Sequence, residues 1–263
     1  MKRPLILVSN DDSIAARGVH ELIDRLVTLG DVVAVCPKFP HSGQSMAITI
    51  AEPLRIDTLP DYHGAKMYAV NGTPVDCIKL SIHHLLPRKP DLVVAGINHG
   101  SNAAVNVLYS GTMGAAMEGA VFGCPSVGFS LTDHSPEADF TPCFPAVTHL
   151  CRAMLQHGMP ESVCLNVNVP AIHEVPREMR LCTPCRGSWN DEYQEYIDPS
   201  GKKFYLLTGK YVNEEPDNPN TDEYALAHGI ISVTLAHIER GSAKNAQIPW
   251  LETEIGVYNS AQY

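Results

Sequence analysis

No window of the 263-residue chain approaches the roughly 18 continuous apolar residues of a membrane-spanning helix. The stretch from Leu92 to Met117 carries no Asp, Glu, Lys or Arg, yet it is full of Asn, Gly and Ser. Basic residues are also scarce. There are 19 Lys and Arg against 29 Asp and Glu, a formal net charge of -10, and no cluster of five or more basic residues. This balance argues against an extended nucleic acid partner, while a small phosphorylated ligand held through a metal stays open. The apolar stretch between Met1-Lys2-Arg3-Pro4 and Asp11 is too short for the hydrophobic region of a signal peptide, which predicts a cytoplasmic protein. GxxxxGK[ST] is absent, Gly96 and Gly100 do not make a GxGxxG fingerprint, and there is no GxSxG elbow. P-loop phosphoryl transfer, hydride transfer and esterase chemistry are therefore disfavoured. Cys182-Thr-Pro-Cys185 has neither a second Cys pair nor a His pair at finger spacing, which disfavours zinc. The other six cysteines are scattered mostly through apolar segments, as expected of buried free thiols in a reducing compartment.

What is present is the pattern of a globular α/β protein, with 44% apolar and 18% charged residues and enough length to bury a substantial core. Short β-rich apolar runs at Leu5–Ser9, Val32–Cys36, Met67–Val70, Leu92–Ala95, Ser126–Ser130 and Cys164–Val169 alternate with helical patterns at Val19–Leu29, Pro74–Leu86, Thr112–Phe122 and Phe144–His157. That alternation predicts crossover units, hence a Rossmann-like, mostly parallel sheet with helices on both faces. From about Arg186 the rhythm changes. Two aromatic runs flank Asp198-Pro-Ser-Gly201, the chemistry of a β-hairpin turn. Such an arm has too little core to stand alone and is expected to pack on another subunit or on the domain surface. Residues 220 to 238 read as a short helix capped by Thr221 or Asp222, broken at Gly229 and followed by a strand. The expected division is a core over 1–185, a hairpin arm over 186–215, and a return to the core with a C-terminal oligomerisation segment over 216–263.

Ligands of open α/β sheets bind outside the carboxyl ends of the strands. Three of the predicted strands deliver polar residues there: Asn10-Asp11-Asp12 after the first, Ser42 after the second, and Asn98 after the run that begins at Leu92. Two adjacent carboxylates at such an edge repel each other unless a cation compensates them. Two Asp, a Ser hydroxyl and an Asn carbonyl form a hard oxygen set, which favours one Mg²⁺ or Mn²⁺ over zinc, with water and substrate oxygens completing an octahedron. Ser110-Gly111-Thr112 precedes a helix rich in small residues, so backbone N–H groups and two hydroxyls make an anion pocket, equally compatible with capping by Ser110 or Thr112. His41 and His99 adjoin the proposed ligands, either to assist proton transfer or simply to line the site or face solvent.

The blocks ILVSNDDSIAARGVHEL, SGQSMAIT, VNGTPVDCIKL, DLVVAGINHGSN, LYSGTMGAAMEG and TDEYALAHGIISVTLA resemble, in order, the signature blocks of the survival protein E (SurE) family of 5'/3'-nucleotidases. The resemblance spans nearly the whole chain. It implies a divalent-metal-dependent phosphatase of nucleoside monophosphates, with action on short polyphosphate as well, on a Rossmann-like core. It also implies a homodimer or homotetramer built by exchanging the hairpin and the C-terminal segment. Carried over block by block, the metal ligands fall on Asp11, Asp12, Ser42 and Asn98, and the phosphate contacts on Asn10, Ser110, Gly111 and Thr112. Asp11 and Asp12 are the residues to which the resemblance and the strand-end argument together assign catalysis, with Asp11 orienting the attacking water or accepting its proton.

The chain also departs from the family pattern. Ser13 stands where a glycine usually follows the paired aspartates, Lys38-Phe39 replaces a common Asp-Arg, and Ala104, Val105 and Asn106 occupy a region where Gly-Asp is frequent. A turn needing positive φ at Ser13 would be strained. Loss of an acidic residue at Asn106 would alter a contact around the site. Two other readings use the same strand-end residues: a metal-dependent hydrolase of a different bond, and a non-catalytic nucleotide-binding stress protein.

Overall fold

The computed structural model describes residues 2–172 and 174–238; the expected C-terminal oligomerisation segment lies largely outside the described residues. Thirteen strands are present among them: β1 (Leu5–Ser9), β2 (Asp31–Pro37), β3 (Ile56–Tyr62), β4 (Ala65–Val70), β5 (Leu92–His99), β6 (Ser126–Leu131), β7 (Val163–Val169), β8 (Met179–Leu181), β9 (Gly187–Asn190), β10 (Tyr193–Ile197), β11 (Lys203–Leu207), β12 (Lys210–Asn213) and β13 (Ile231–His237). The α-helices are α1 (Arg17–Leu26), α2 (Pro74–Leu80), α3 (Gly111–Val121), α4 (Phe144–His157) and α5 (Asp222–Ala227). Nine strands form one sheet in the order β3-β4-β2-β1-β5-β6-β7-β13-β8. The six from β4 to β7 run parallel, whereas β3 and β13 are antiparallel to their neighbours β4 and β7.

Strands buried on both faces must be apolar throughout, and β1 is buried at all five positions. One face of the sheet packs on α1 and α4 through residues such as Leu22, Ile23, Val147 and Cys151. The other packs on α2 and α3 through Cys77, Ile78, Met113 and Ala116. Helix α1 lies close on the sheet because Gly18 has no side chain; a Cβ there would collide with the Ile97 carbonyl. All eight cysteines are buried and unpaired, and burial pushes the thiols of Cys143 and Cys164 up to about 12. Among the described residues no helix is long and apolar enough to cross a membrane.

The structure adds two strands that the sequence pattern does not show. β3 carries Pro60 and two aspartates, and it is an edge strand whose pairing with β4 shifts register between Leu59 and Tyr62; an edge tolerates proline because no ladder donor is needed there. β8 has only three residues and forms the opposite edge. The helical pattern expected over Pro74–Leu86 stays α-helical only to Leu80 and then widens into a π-turn over Ser81–Leu85. β5 runs to His99, beyond its predicted end at Ala95.

The hairpin forms around the expected turn. β10 pairs antiparallel with β11, and Asp198 Oδ1 accepts from the N–H groups of Ser200 and Lys202, both at the tip, with Gly201 at φ 84. At its base β9 pairs with β12. Every residue of β10 and β11 is exposed. Thr221 caps α5 by accepting from the Tyr224 N–H, and Gly229 takes φ 73 before β13.

Candidate active site

Neighbouring strands diverge in chain direction at one place. From β1 the chain proceeds through β2 and β4 to one side, then returns through β5, β6 and β7 on the other. The carboxyl ends of β1 and β5 flank this switch point, where open sheets leave a crevice. A cavity of about 460 Å³ lies there, and its walls include Asp11, Asp12, Ser42, Asn98 and Ser110. Three separate strand ends and the start of α3 thus meet in one place.

Asp11 is almost fully buried. Burial raises its pKa to about 6; the Thr112 hydroxyl opposes that rise and the Asp12 charge adds to it. The Thr112 hydroxyl donates to Asp11 Oδ1 and lies 3.5 Å from Asn98 Oδ1. The amide of Asn98 is oriented by its nitrogen, which donates to the carbonyls of His99 and Gly100, so its carbonyl oxygen is turned toward Thr112. Asp12 is more open. Burial raises its pKa as well, opposed by the His99 N–H, which donates to its Oδ2 at 3.4 Å. The loop bearing Ser42 is tied to the pair because the His41 N–H donates to the Asp11 carbonyl at 2.7 Å.

Gly111 completes the cradle. A Cβ at this position would stand 2.9 Å from Asp11 Oδ2, so α3 approaches the carboxylate only because the residue has no side chain. Ser110 caps α3 by accepting from the Met113 N–H at 3.0 Å. Ser110 also lines the cavity, at the positive end of an eleven-residue helix. Thr112 is not the cap; its hydroxyl serves Asp11. Asn10 is not among the residues lining the cavity. Its amide nitrogen donates to the Ser13 carbonyl at 2.8 Å, and its Oδ1 is a buried oxygen with no hydrogen-bond partner.

Two raised carboxylates beside an oriented amide oxygen and a serine hydroxyl are a surplus of oxygen acceptors. That donor set fits a hard divalent cation. Among the described residues no three His, Cys, Asp and Glu side chains converge as a metal cluster, at this site or elsewhere; the acidic part of this set is limited to Asp11 and Asp12.

The family model for "Survival protein SurE" matches residues 6–191. A protein of Bacteroides fragilis named 5'-nucleotidase SurE is 46% identical over 233 residues, covering 89% of this chain and 91% of that protein. One of the same name from Phocaeicola vulgatus is 41% identical, covering 90% and 92%. The chain belongs to the SurE family. Among solved structures, SurE from Aquifex aeolicus superposes with a TM-score of 0.81 at 32% identity, over 95% of this chain and all of that one.

Within the SurE frame the departures acquire a structural meaning. Ser13 adopts φ 87, the left-handed region that disfavours a side chain by about 1–2 kcal/mol. Ser13→Gly is expected to raise stability by roughly 0.5–1 kcal/mol, the relief of strain being partly offset by the freer unfolded glycine; urea denaturation measures it. Ala104 likewise takes φ 52. Asn106 Oδ1 accepts from Trp189 Nε1 at 2.9 Å.

Several cavity residues escaped the sequence reading. His134 follows β6, and the strand-end rule extended to that strand reaches it; its ring occupies the space a Cβ on Gly100 would need. Trp189 and Tyr211 come from the base of the hairpin and Glu223 from α5. No local pattern announces them, because they reach the site through the folding back of the arm.

Proposed function

We propose that this SurE-family chain is a divalent-metal-dependent phosphomonoesterase that hydrolyses nucleoside 5'- and 3'-monophosphates. The observation that carries the reading is the pair Asp11 and Asp12 at the sheet's switch point, with Asn98, Ser42 and the N-terminus of α3 facing the same cavity. The name shared by the relatives, 5'-nucleotidase, supports it.

Asp11, Asp12, Ser42 and Asn98 would hold one Mg²⁺ or Mn²⁺. When bound, it would supply charge neutralisation at the phosphate and a more acidic water. The chain's own part is positioning. The Ser110 hydroxyl and the N-terminus of α3 bind anionic phosphate oxygens, with Gly111 allowing their close approach to Asp11. The Thr112 hydroxyl fixes the direction of the Asp11 carboxylate by donating to its Oδ1. Asn10 acts behind the site, holding the 10–13 turn. Asp11 orients the attacking water. Short polyphosphate fits the same anion pocket.

The exposed apolar side chains of the arm, among them Tyr193, Ile197 and Leu207, support a homodimer or homotetramer. The buried, unpaired thiols support a cytoplasmic setting. Phosphate release from AMP and from p-nitrophenyl phosphate, with Mn²⁺ or Mg²⁺ and after EDTA, tests the activity. Turnover that EDTA abolishes and either metal restores is expected. Full turnover in EDTA would remove the metal from the scheme, and no turnover with any metal would remove the hydrolase.

A further inference from the structure

We propose that Glu223 is the proton donor to the oxygen that leaves phosphorus when the substrate is cleaved. The assignment rests on the phosphomonoesterase reading and supplies a step that Asp11 and Asp12 leave open. An alkoxide is a poor leaving group, and in a loose phosphoryl-transfer transition state negative charge builds on its oxygen, so an acid within reach speeds the step. Glu223 lines the same cavity as Asp11, Asp12 and Ser110. Its main chain is fixed there. Asp222 Oδ1 accepts from the Glu223 N–H and Oδ2 from the Ala104 N–H, each at 2.8 Å, which clamps the start of α5 to the loop after β5.

The side chain, by contrast, is uncommitted. It is partly buried, and its carboxyl has no hydrogen bond or ion pair among the described residues. It does not converge with Asp11 and Asp12 as a third metal-binding carboxylate, so it lines the cavity apart from the cation's ligands. Burial raises its pKa and the Asp222 charge adds to the rise; the carboxyl therefore keeps its proton to higher pH than an exposed glutamate does. Other acids in the wall are engaged. Asp11 accepts from the Thr112 hydroxyl and Asp12 from the His99 N–H. The His99 ring packs edge-on against Phe140, and the His134 ring fills the space beside Gly100, whose carbonyl orients Asn98. In the step itself the water oxygen bonds to phosphorus as the bond from phosphorus to the ester oxygen breaks. The electron pair of that bond stays on the ester oxygen, which takes the Glu223 proton and departs as an alcohol. The Glu223 carboxylate then regains a proton from solvent, matching the one the attacking water gives up.

Leaving groups of graded basicity test it on the full chain with Mn²⁺. Glu223→Gln keeps the size of the side chain and the N–H bonded to Asp222, and removes the acidic proton. It should lower kcat/KM for AMP by about 10²-fold, the usual return from one general acid, with a smaller loss on phenyl phosphate and the smallest on p-nitrophenyl phosphate, whose phenolate departs without a proton. A merely structural role for Glu223 would lower all three alike, because it does not sense the basicity of the departing oxygen. Losses of equal size on the three substrates, or an AMP rate that the substitution leaves unchanged, overturn the proton donor; AMP turnover by the native chain then still upholds the phosphomonoesterase reading. No phosphate released by the native chain from any of the three overturns both.

Discussion

Asp11→Asn is expected to lower phosphate release from AMP by about 10²–10³-fold, the loss typical of removing one transition-state charge contact, while the metal-free protein becomes more stable above pH 6. The two effects share one cause. Asp11 is buried, and its pKa rises from 3.8 to about 6 on folding. A carboxyl whose pKa is raised by folding opposes folding once ionised: the penalty is absent below about pH 4, grows between pH 4 and 6, and is fully present above. A rise of this size corresponds to ~3 kcal/mol at most. An amide cannot ionise, so the stability difference between Asp11→Asn and the native chain should widen from pH 4 to pH 6 and then level off. The hydrogen bond from Thr112 is retained by the amide oxygen. Thermal melts in EDTA across that range, alongside AMP turnover with Mn²⁺, check both halves. A variant that turns over normally, or whose stability difference is flat with pH, would show that Asp11 is neither the essential carboxylate nor the buried charge assigned here.

The second large effect is on the fold. Asp222 is fully buried, and its two oxygens accept from three backbone N–H groups, those of Ala104, Cys185 and Glu223, each at 2.8 Å. These belong to the loop after β5, the segment entering the hairpin, and α5. One side chain therefore joins three chain segments up to 118 residues apart. Asp222→Ala leaves all three donors without an acceptor and opens a small void; the expected cost is about 3–5 kcal/mol. Asp222→Asn, which keeps one acceptor oxygen and turns an amino group toward a donor, should fall between. Urea denaturation gives the free energies. AMP turnover at low temperature should also decline, because Ala104 lies in the stretch that leads to Asn106 and Tyr109 at the cavity. A loss below about 1 kcal/mol for the alanine variant would mean that other groups satisfy these donors.

Much of this arrangement is legible in the sequence. Strands buried on both faces must be apolar runs, so β1, β2, β5, β6 and β7 stand out, and helices of amphipathic period between them require parallel pairing. Once the strands are placed, Asp11, Asp12, Ser42 and Asn98 follow from the geometry of strand ends, and the structure brings them to one cavity. The rest is hidden for physical reasons. Pro60 disguises β3, since an edge strand needs half of its hydrogen bonds and tolerates residues a central strand would not. Asn10 sits beside the aspartates in sequence, yet its amide turns back to Ser13, a choice made by the turn and invisible in composition. Trp189 reads as one aromatic of an exposed arm; only the fold-back of the hairpin onto the 104–109 loop sets it beside the acidic pair.

The place of β1 in the sheet bears on how the molecule is made. Its neighbour on one side, β2, begins at Asp31, but its neighbour on the other, β5, begins only at Leu92. During synthesis the first strand waits for some sixty further residues with the N–H and C=O groups of one edge unpaired. A nascent chain at this stage presents a surface suited to pairing with a second copy. Closure of that edge by β5 delivers Asn98 to the aspartates in the same event, so the end of this aggregation hazard and the birth of the catalytic crevice coincide.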